Sequence, residues 1–253
     1  MPRIYLFVSD ETIFHPPILH EILERRGAEV VGAAIFPRPR HASAWAGVRQ
    51  ALALDGGRAV PRLCLRWLAH RWACVRHSPP NFVSVARVFD THKILLDRFA
   101  NPNHAQCVAR VKALRTEVVL NFQPWYLRAP VLSVPTLACL NLHTAALPKY
   151  RGVEPVIRAL LAGENVVGVS IHTMEEAIDA GVVLAQTLVP ARDCVFDCYK
   201  AAFAEVPVLV ERALALLESH GAPVAHSTKT NRYFSHLTRG EIDAFREAHL
   251  RYL

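Results

Sequence analysis

The chain has 253 residues, of which 52% are hydrophobic and 20% charged; this composition excludes an intrinsically disordered protein and suffices for one large domain. No apolar run approaches the ~18 residues of a membrane-spanning helix, and the N-terminal apolar stretch is too short for a signal peptide, so we expect a cytoplasmic protein. The six cysteines include no Cys-x-x-Cys pair, which favours reduced thiols over a metal site or a disulfide framework.

The net charge of +7 originates in one segment of the chain. Between Arg38 and His77 there is no lysine and one acid, Asp55, together with eight arginines, at positions 38, 40, 49, 58, 62, 66, 71 and 76. The remaining basic and acidic residues cancel. The basic isoelectric point therefore indicates a local patch rather than a chain-wide surface for nucleic acid.

Strands and helices alternate along the first part of the chain. In order, the patterns predict strands at 3–8 and 29–36 around a helix at 17–26, strands at 82–88 and 117–122 around a helix at 103–115, and a short strand at 139–142. This alternation predicts an α/β fold with a doubly wound, mostly parallel sheet. Ligands of such sheets lie at the carboxyl ends of the strands, where Asn141 and His143 fall.

The later part of the chain continues with helices and a strand pair. It is predicted to contain a helix at 154–162, strands at 167–173 and 182–189, a long helix at 196–219 and a short helix at 239–249.

Residues 41–77 interrupt this rhythm and are predicted to form two helices around Asp55-Gly56-Gly57. The second helix combines arginines with tryptophan and leucine. We favour packing of this helix on its own domain, with its arginines in solvent. Two alternatives stay open for residues 58–76, namely contact with an anionic membrane surface and contact with the phosphates of a large substrate.

Three polar side chains could meet in one pocket. Asn141 can donate to a developing oxyanion, His143 can exchange a proton near neutral pH, and Asp179 can orient that imidazole and stabilise its charged form. Each residue alone has an ordinary interpretation, since asparagine and Asp-x-Gly are common in turns and a histidine can be structural. Together they equip a site for acyl transfer to an amine.

Four blocks of sequence carry a family resemblance. They read Asn141-Leu142-His143, Leu147-Pro148-Lys149-Tyr150-Arg151-Gly152, Gly168-Val169-Ser170-Ile171 and Asp179-Ala180-Gly181. In this order and spacing they resemble the formyltransferases that use 10-formyltetrahydrofolate. The resemblance covers residues 80–190 well and the first 36 loosely. It implies a Rossmann-like formyltransferase fold, with Asn141, His143 and Asp179 as the catalytic set.

The resemblance also implies where substrates bind. The formyl donor 10-formyltetrahydrofolate would lie between two loops, whose residues are Phe122, Gln123, Pro124, Trp125, Tyr126 and Leu127 on one side and Glu175, Glu176, Ala177 and Ile178 on the other. The acceptor side would involve Tyr150, Arg151 and Gly152, although Arg151 could instead brace the loop. His172, on a strand, is interpreted as structural. The histidines show no metal-binding pattern such as His-Glu-x-x-His, so no metal is expected.

We assign residues 1–190 to the formyltransferase domain, with 41–77 as a basic helical insertion, and 191–253 to helices that complete the same domain. The predicted activity is N-formylation of a small or carrier-bound amine, such as an amino sugar, an amino acid or a peptide intermediate. The first strand ends at Ser9-Asp10 without the glycines that approach phosphate in the ribonucleotide transformylases, so that substrate is not expected. Transfer RNA is not expected either, because there is no room for the separate tRNA-gripping domain.

Three further hypotheses accompany this prediction. The same three residues could hydrolyse 10-formyltetrahydrofolate, with water in place of the amine. The unusual loop at 122–127 and the arginine-rich insertion would also suit a non-catalytic binding or membrane-associated module. A homodimer is left open.

Overall fold

A seven-stranded sheet forms the centre of the computed structural model, which describes residues 1–39, 43–76, 84–221 and 233–253. The strands are β1 Ile4–Ser9, β2 Val30–Phe36, β3 Leu96–Arg98, β4 Val118–Phe122, β5 Ala138–His143, β6 Arg151–Gly152, β7 Val166–Thr173, β8 Val183–Pro190 and β9 Tyr233–Phe234. The helices are α1 His15–Arg26, α2 Ala44–Asp55, α3 Ala59–Arg76, α4 Val85–Thr91, α5 Ala105–Ala113, α6 Ala129–Leu132, α7 Pro155–Leu161, α8 Val195–Ala204, α9 Val206–His220 and α10 Arg239–Glu247.

The strand order of the main sheet is β3-β2-β1-β4-β5-β7-β8. The first five strands in this order run parallel, whereas β7 and β8 are antiparallel to their neighbours. The predicted mostly parallel α/β fold is therefore confirmed. Among the described residues, no helix is long and apolar enough to span a membrane.

Helices cover both faces of the sheet, and β1 shows how the sequence allows this. Ile4, Leu6 and Val8 face one core, formed with α1, α4, α7, α8 and α9. Tyr5 and Phe7 face a second core, formed with α5 and α6. Because both faces of a central parallel strand are buried, β1 reads as a continuous apolar run rather than as an alternation.

The strand predicted at 82–88 is wrong for its described part. Positions 82 and 83 lie outside the described residues, and α4 begins at Val85, where the hydroxyl of Ser84 accepts a hydrogen bond from the Arg87 amide. The buried Val85, Val88 and Phe89 follow helical spacing, so an amphipathic helix explains the same apolar residues. The edge strand is instead β3, which escaped prediction because it has three residues and includes Asp97 and Arg98.

The helix predicted at 196–219 is two helices. The first, α8, ends at Ala204 and α9 begins at Val206, with Glu205 between them. Pro207 lies in the first turn of α9. Proline lacks an amide hydrogen and its ring clashes with a preceding helical turn, so it is tolerated where a helix starts but interrupts a continuous one.

A short parallel pair of strands lies beside the candidate site described below. Arg151 and Gly152 of β6 pair with Tyr233 and Phe234 of β9. Gly152 has φ of +100°, and a Cβ atom there would lie 2.1 Å from the carbonyl oxygen of Phe234. Glycine is therefore required for the approach of the two strands.

Candidate active site

A cavity of about 730 Å³ opens at the carboxyl ends of β1, β4 and β5. Asn141 and His143 reach it from β5, and Asp179 reaches it from the loop between β7 and β8. The three predicted catalytic residues therefore line one cavity. Its size is within the ~300–1,000 Å³ range of small-molecule sites.

Asp179 stands between two imidazoles. Its Oδ2 atom lies 3.6 Å from Nδ1 of His143, and its Oδ1 atom lies 3.6 Å from Nε2 of His172. The amide of Gly152 donates to Oδ2 at 2.8 Å and fixes the carboxylate. Asp179 has a left-handed backbone, with φ of +50°, a conformation that aspartate tolerates better than most residues. The carboxylate is 9% exposed, so its field acts on both rings with little screening by solvent.

The ring of His143 is held from both sides. Its Nε2 donates to the carbonyl oxygen of Tyr150 at 3.0 Å, and Nδ1 faces Asp179. A carbonyl can only accept, so the proton of a neutral ring resides on Nε2. A protonated ring would carry its second proton on Nδ1, where the carboxylate 3.6 Å away attracts the positive charge. Nδ1 is therefore the nitrogen at which His143 can exchange a proton.

The structure adds His172 to this group. It is buried, and burial lowers its pKa to about 4 against the opposing effect of Asp179. Its Nδ1 donates to the carbonyl oxygen of Thr173 at 2.8 Å, so Nε2 of the neutral ring is an acceptor. The side-chain nitrogen of Asn141 lies 3.3 Å from that Nε2 and donates to it.

A chain of side-chain amides fixes Asn141 from the other side. Nε2 of Gln123 donates to Oδ1 of Asn121 at 2.6 Å, and Nδ2 of Asn121 donates to Oδ1 of Asn141 at 2.9 Å. Gln123 is itself oriented by the amide of Trp125, which donates to its Oε1. With its oxygen and one amide hydrogen thus engaged, Asn141 keeps a second hydrogen for the cavity. That is the donor an oxyanion needs.

The two predicted donor-binding loops form facing walls of the cavity. All six residues from Phe122 to Leu127 line it, as do Glu175 and Ile178 of the opposite loop. Glu176 and Ala177 are not among the lining residues; instead, the hydroxyl of Tyr126 donates to the carbonyl oxygen of Glu176 at 2.5 Å and links the walls.

Two of the three predicted acceptor-side residues have their side chains directed elsewhere. Arg151 is buried and donates from Nε to the carbonyl oxygen of Ile178 at 3.1 Å, so it braces the Asp179 loop. The hydroxyl of Tyr150 donates to Glu164 at 2.9 Å. Neither residue lines the cavity, whereas Gly152 does. The contact with Ile178 supports the bracing interpretation of Arg151.

Part of the cavity wall is formed by residues that sequence reasoning missed. Ser9, Glu11, His15 and Arg38 line it. The Glu11 carboxylate accepts hydrogen bonds from the amides of residues 13, 14 and 15, at 2.8, 2.6 and 2.7 Å. It therefore occupies the amino end of α1, which would otherwise attract an anion. Nδ1 of His15 is buried without a hydrogen-bond partner among the described residues, and burial lowers the pKa of this imidazole.

Potential metal ligands lie away from this cavity. Within the described parts of the chain, His20, Glu24 and His92 are the residues grouped closely enough to hold an ion. Nδ1 of His20 lies 2.8 Å from Nε2 of His92, and none of the three lines the cavity.

Comparison with known proteins adds a family match. The family described as Formyl transferase matches residues 75–195. The methionyl-tRNA formyltransferase of Herpetosiphon aurantiacus is 45% identical over 84 residues, which are 33% of this chain and 28% of that protein. The chain thus matches less than a third of the length of this curated relative. The match gives no support to the expectation that tRNA is excluded as an acceptor.

Solved structures share the fold over nearly the whole chain. Glycinamide ribonucleotide transformylase 1 from Symbiobacterium toebii has a TM-score of 0.59 at 19% identity, covering 87% of this chain and 88% of that one. The N-formyltransferase from Helicobacter canadensis, in complex with folinic acid and dTDP-3-aminofucose, has a TM-score of 0.59 at 15% identity, covering 98% of this chain and 80% of that one. At these identities the likeness establishes the fold alone.

Proposed function

The chain belongs to the formyltransferase family, and from this premise we propose that it moves a formyl group from 10-formyltetrahydrofolate to the primary amine of an acceptor. One observation carries the proposal, namely the meeting of Asn141, His143 and Asp179 in a single cavity. The donor supplies an activated formyl group on its N10 nitrogen. The aromatic and apolar wall formed by Phe122, Trp125 and Leu127 suits a flat pterin ring.

Asn141 would stabilise the reaction's oxyanion. As the amine nitrogen bonds to the formyl carbon, the carbonyl oxygen becomes negative and meets the amide hydrogen that Asn141 keeps free of His172. A preorganised donor of this kind is typically worth 100- to 1000-fold in rate. Its value depends on orientation, which Asn121 and His172 set from opposite sides.

His143 and Asp179 would transfer the proton that the attacking amine loses to the departing nitrogen of the donor. The attacking nitrogen loses a proton, and N10 of tetrahydrofolate gains one when its bond to the formyl carbon breaks. The imidazole of His143 can take up a proton at Nδ1, which lies 3.6 Å from the Asp179 carboxylate, and release it again, while Nε2 keeps its hydrogen bond to the Tyr150 carbonyl. The products are a formamide and tetrahydrofolate.

The part of the cavity beside α1 supports an amine acceptor that places no phosphate there. The helix amides that would bind a phosphate donate to Glu11 instead. An amino sugar, an amino acid or a peptide intermediate suits this part better than a ribonucleotide phosphate placed at the same point. Substituting Glu11→Gln removes the charge and keeps an accepting oxygen.

Methionyl-tRNA is the second candidate acceptor, and the curated relative favours it. Hydrolysis of the donor by water is the remaining enzymatic alternative. The joint presence of all three polar groups weighs against a purely non-catalytic module.

The test combines donor binding with product formation. A stable 10-formyltetrahydrofolate analogue would be titrated by calorimetry into the wild type, Pro124→Glu and, as a control at an exposed residue outside the cavity lining, Leu95→Ser. We expect micromolar binding that Pro124→Glu abolishes and Leu95→Ser retains. If the donor analogue does not bind to the wild type, the proposal is wrong.

The acceptor class would follow from an assay with amino-sugar nucleotides, amino acids and methionyl-tRNA. Formamide on one class, lost in Asn141→Ala, names the substrate. Donor consumption at the same rate with and without every acceptor would instead identify a hydrolase.

A further inference from the structure

Helix α3 presents an apolar stripe to solvent. Val60, Leu65, Leu68 and Trp72 are 50%, 65%, 47% and 61% exposed. Val60, Leu68 and Trp72 recur at multiples of four residues, and Leu65 lies beside them, so all four share one side of the helix. Trp45, in the first turn of α2, adds a side chain that is 75% exposed.

The opposite side of the same helix packs on the protein. Ala59 is fully buried and forms a small core with Ala51 and Leu253, to which Leu63 is added. The favoured sequence interpretation, a helix packed on its own domain, therefore accounts for this side only. The exposed stripe is a separate surface, and a contiguous apolar patch of this kind commonly marks an interaction site.

The hairpin formed by α2 and α3 exposes positive charge at two described arginines. Asp55, the acid among eight arginines in residues 38–77, has a side chain that is 2% exposed. Its oxygens accept from the amides of Tyr252 at 2.7 Å and Leu253 at 3.1 Å, and Nη1 of Arg62 lies 3.3 Å away. The carboxylate thus ties the hairpin to the body and is paired with Arg62, while its own charge is shielded from solvent. Arg49 and Arg58 are exposed.

We propose that the hairpin of α2 and α3 binds the surface of an anionic lipid bilayer. The apolar stripe and Trp45 would enter the boundary between headgroups and acyl chains, and the arginines would contact lipid phosphates. Exposed leucine and valine distinguish this occupant from a nucleic acid, since phosphate contacts require charge but no apolar insertion. The positive charge disfavours a second copy of the same surface, because two such hairpins would repel each other.

The test is co-sedimentation of the full chain with vesicles of phosphatidylcholine alone or with 30% phosphatidylglycerol. Two double variants separate the contributions: Leu65→Ser/Leu68→Ser removes the stripe, and Arg49→Glu/Arg58→Glu reverses the charge. Matched controls at exposed positions elsewhere are Leu95→Ser/Leu188→Ser and Arg212→Glu. All targets are exposed, so thermal melting should confirm unchanged folding.

We expect the wild type and controls to bind anionic vesicles and to leave neutral ones in solution, with partitioning reduced at least tenfold in both double variants and by 0.5 M salt. Failure of the wild type to bind anionic vesicles would overturn the proposal. So would equal binding by Leu65→Ser/Leu68→Ser, or tRNA binding that only the arginine variant loses. A wild-type dimer that the leucine variant converts to monomer, without vesicle binding, would assign the surface to a second copy.

Discussion

Asn141 and His172 are directly paired across the antiparallel β5–β7 register, and the asparagine amide donates to the histidine Nε2 over 3.3 Å. Through this pairing, a buried, neutral imidazole orients Asn141, the proposed oxyanion donor. Burial lowers the pKa of His172 to about 4 and keeps Nε2 available as an acceptor at neutral pH.

Replacing His172 by phenylalanine should lower kcat while leaving the KM for the formyl donor within about threefold. The ring volume is kept, but Asn141 loses the acceptor that aligns it, and misalignment of a catalytic group can reduce the rate by up to about 100-fold. Steady-state kinetics on the identified acceptor would measure this split. A proportional rise in KM with unchanged kcat would show that His172 acts in binding instead.

Asn121 offers a graded pair of variants. Asn121→Asp retains the acceptor for Gln123 but places a carboxylate oxygen against Oδ1 of Asn141. The asparagine amide should then flip and turn its oxygen toward the reacting carbonyl, with a loss of about 100-fold in kcat. Asn121→Ala removes the partner without forcing the flip and should lose less.

Calorimetric titration of the donor analogue would show whether each Asn121 variant still forms the pocket. Equal activity of the two variants, with binding retained in both, would contradict the proposed amide chain.

Acid should destabilise the fold through His172. Its pKa falls from 6.5 to about 4 on burial, so between these values the unfolded chain binds a proton that the folded chain does not. Stability then decreases as pH falls from about 6.5, by about 3 kcal/mol at most near pH 4. Urea unfolding from pH 7 to 4.5 would measure it. In His172→Phe this part of the pH dependence should disappear, and an unchanged slope would exclude His172 as the source.

Gly152→Ala should disrupt the loop that fixes Asp179. The new methyl group would meet the carbonyl of Phe234 at 2.1 Å with φ at +100°, so β6 and β9 must separate, at a cost of at least about 1–3 kcal/mol. Gly27→Ala is the matched control, because its Cβ meets nothing within 4 Å and its φ is −57°. Gly152→Ala should lower the melting temperature and weaken binding of the donor analogue, whereas Gly27→Ala should change neither.

Sequence reasoning predicted the three proposed catalytic residues, which line one cavity, but missed the residues that orient them. Asn141 and His143 are separated by one residue on β5, so their proximity can be predicted from the local sequence. His172 was interpreted as structural because its contact with Asn141 depends on the register of β5 and β7, which no local pattern specifies. Glu11 could have been noticed as an acid just before a helix, whereas the burial of His15 has no local signature.

The lack of a decisive local pattern also explains the errors in the predicted fold. Apolar residues at 85, 88 and 89 fit a strand or a helix over so short a stretch, and the serine cap decides between them. The three-residue edge strand β3 is recognisable only through its pairing with β2.

The β6–β9 pair shows that the segment recognised by the family match is shorter than the segment that the folded domain needs. The family match spans residues 75–195, yet β1 and β2 lie between β3 and β4 in the sheet, and β9 pairs with β6, whose Gly152 binds Asp179. An excised piece with those limits would leave β4 without its β1 neighbour and expose an apolar edge to aggregation. A fusion protein that carries this domain should therefore keep the chain from about residue 4 to about residue 234, because the proposed site depends on strands at both ends.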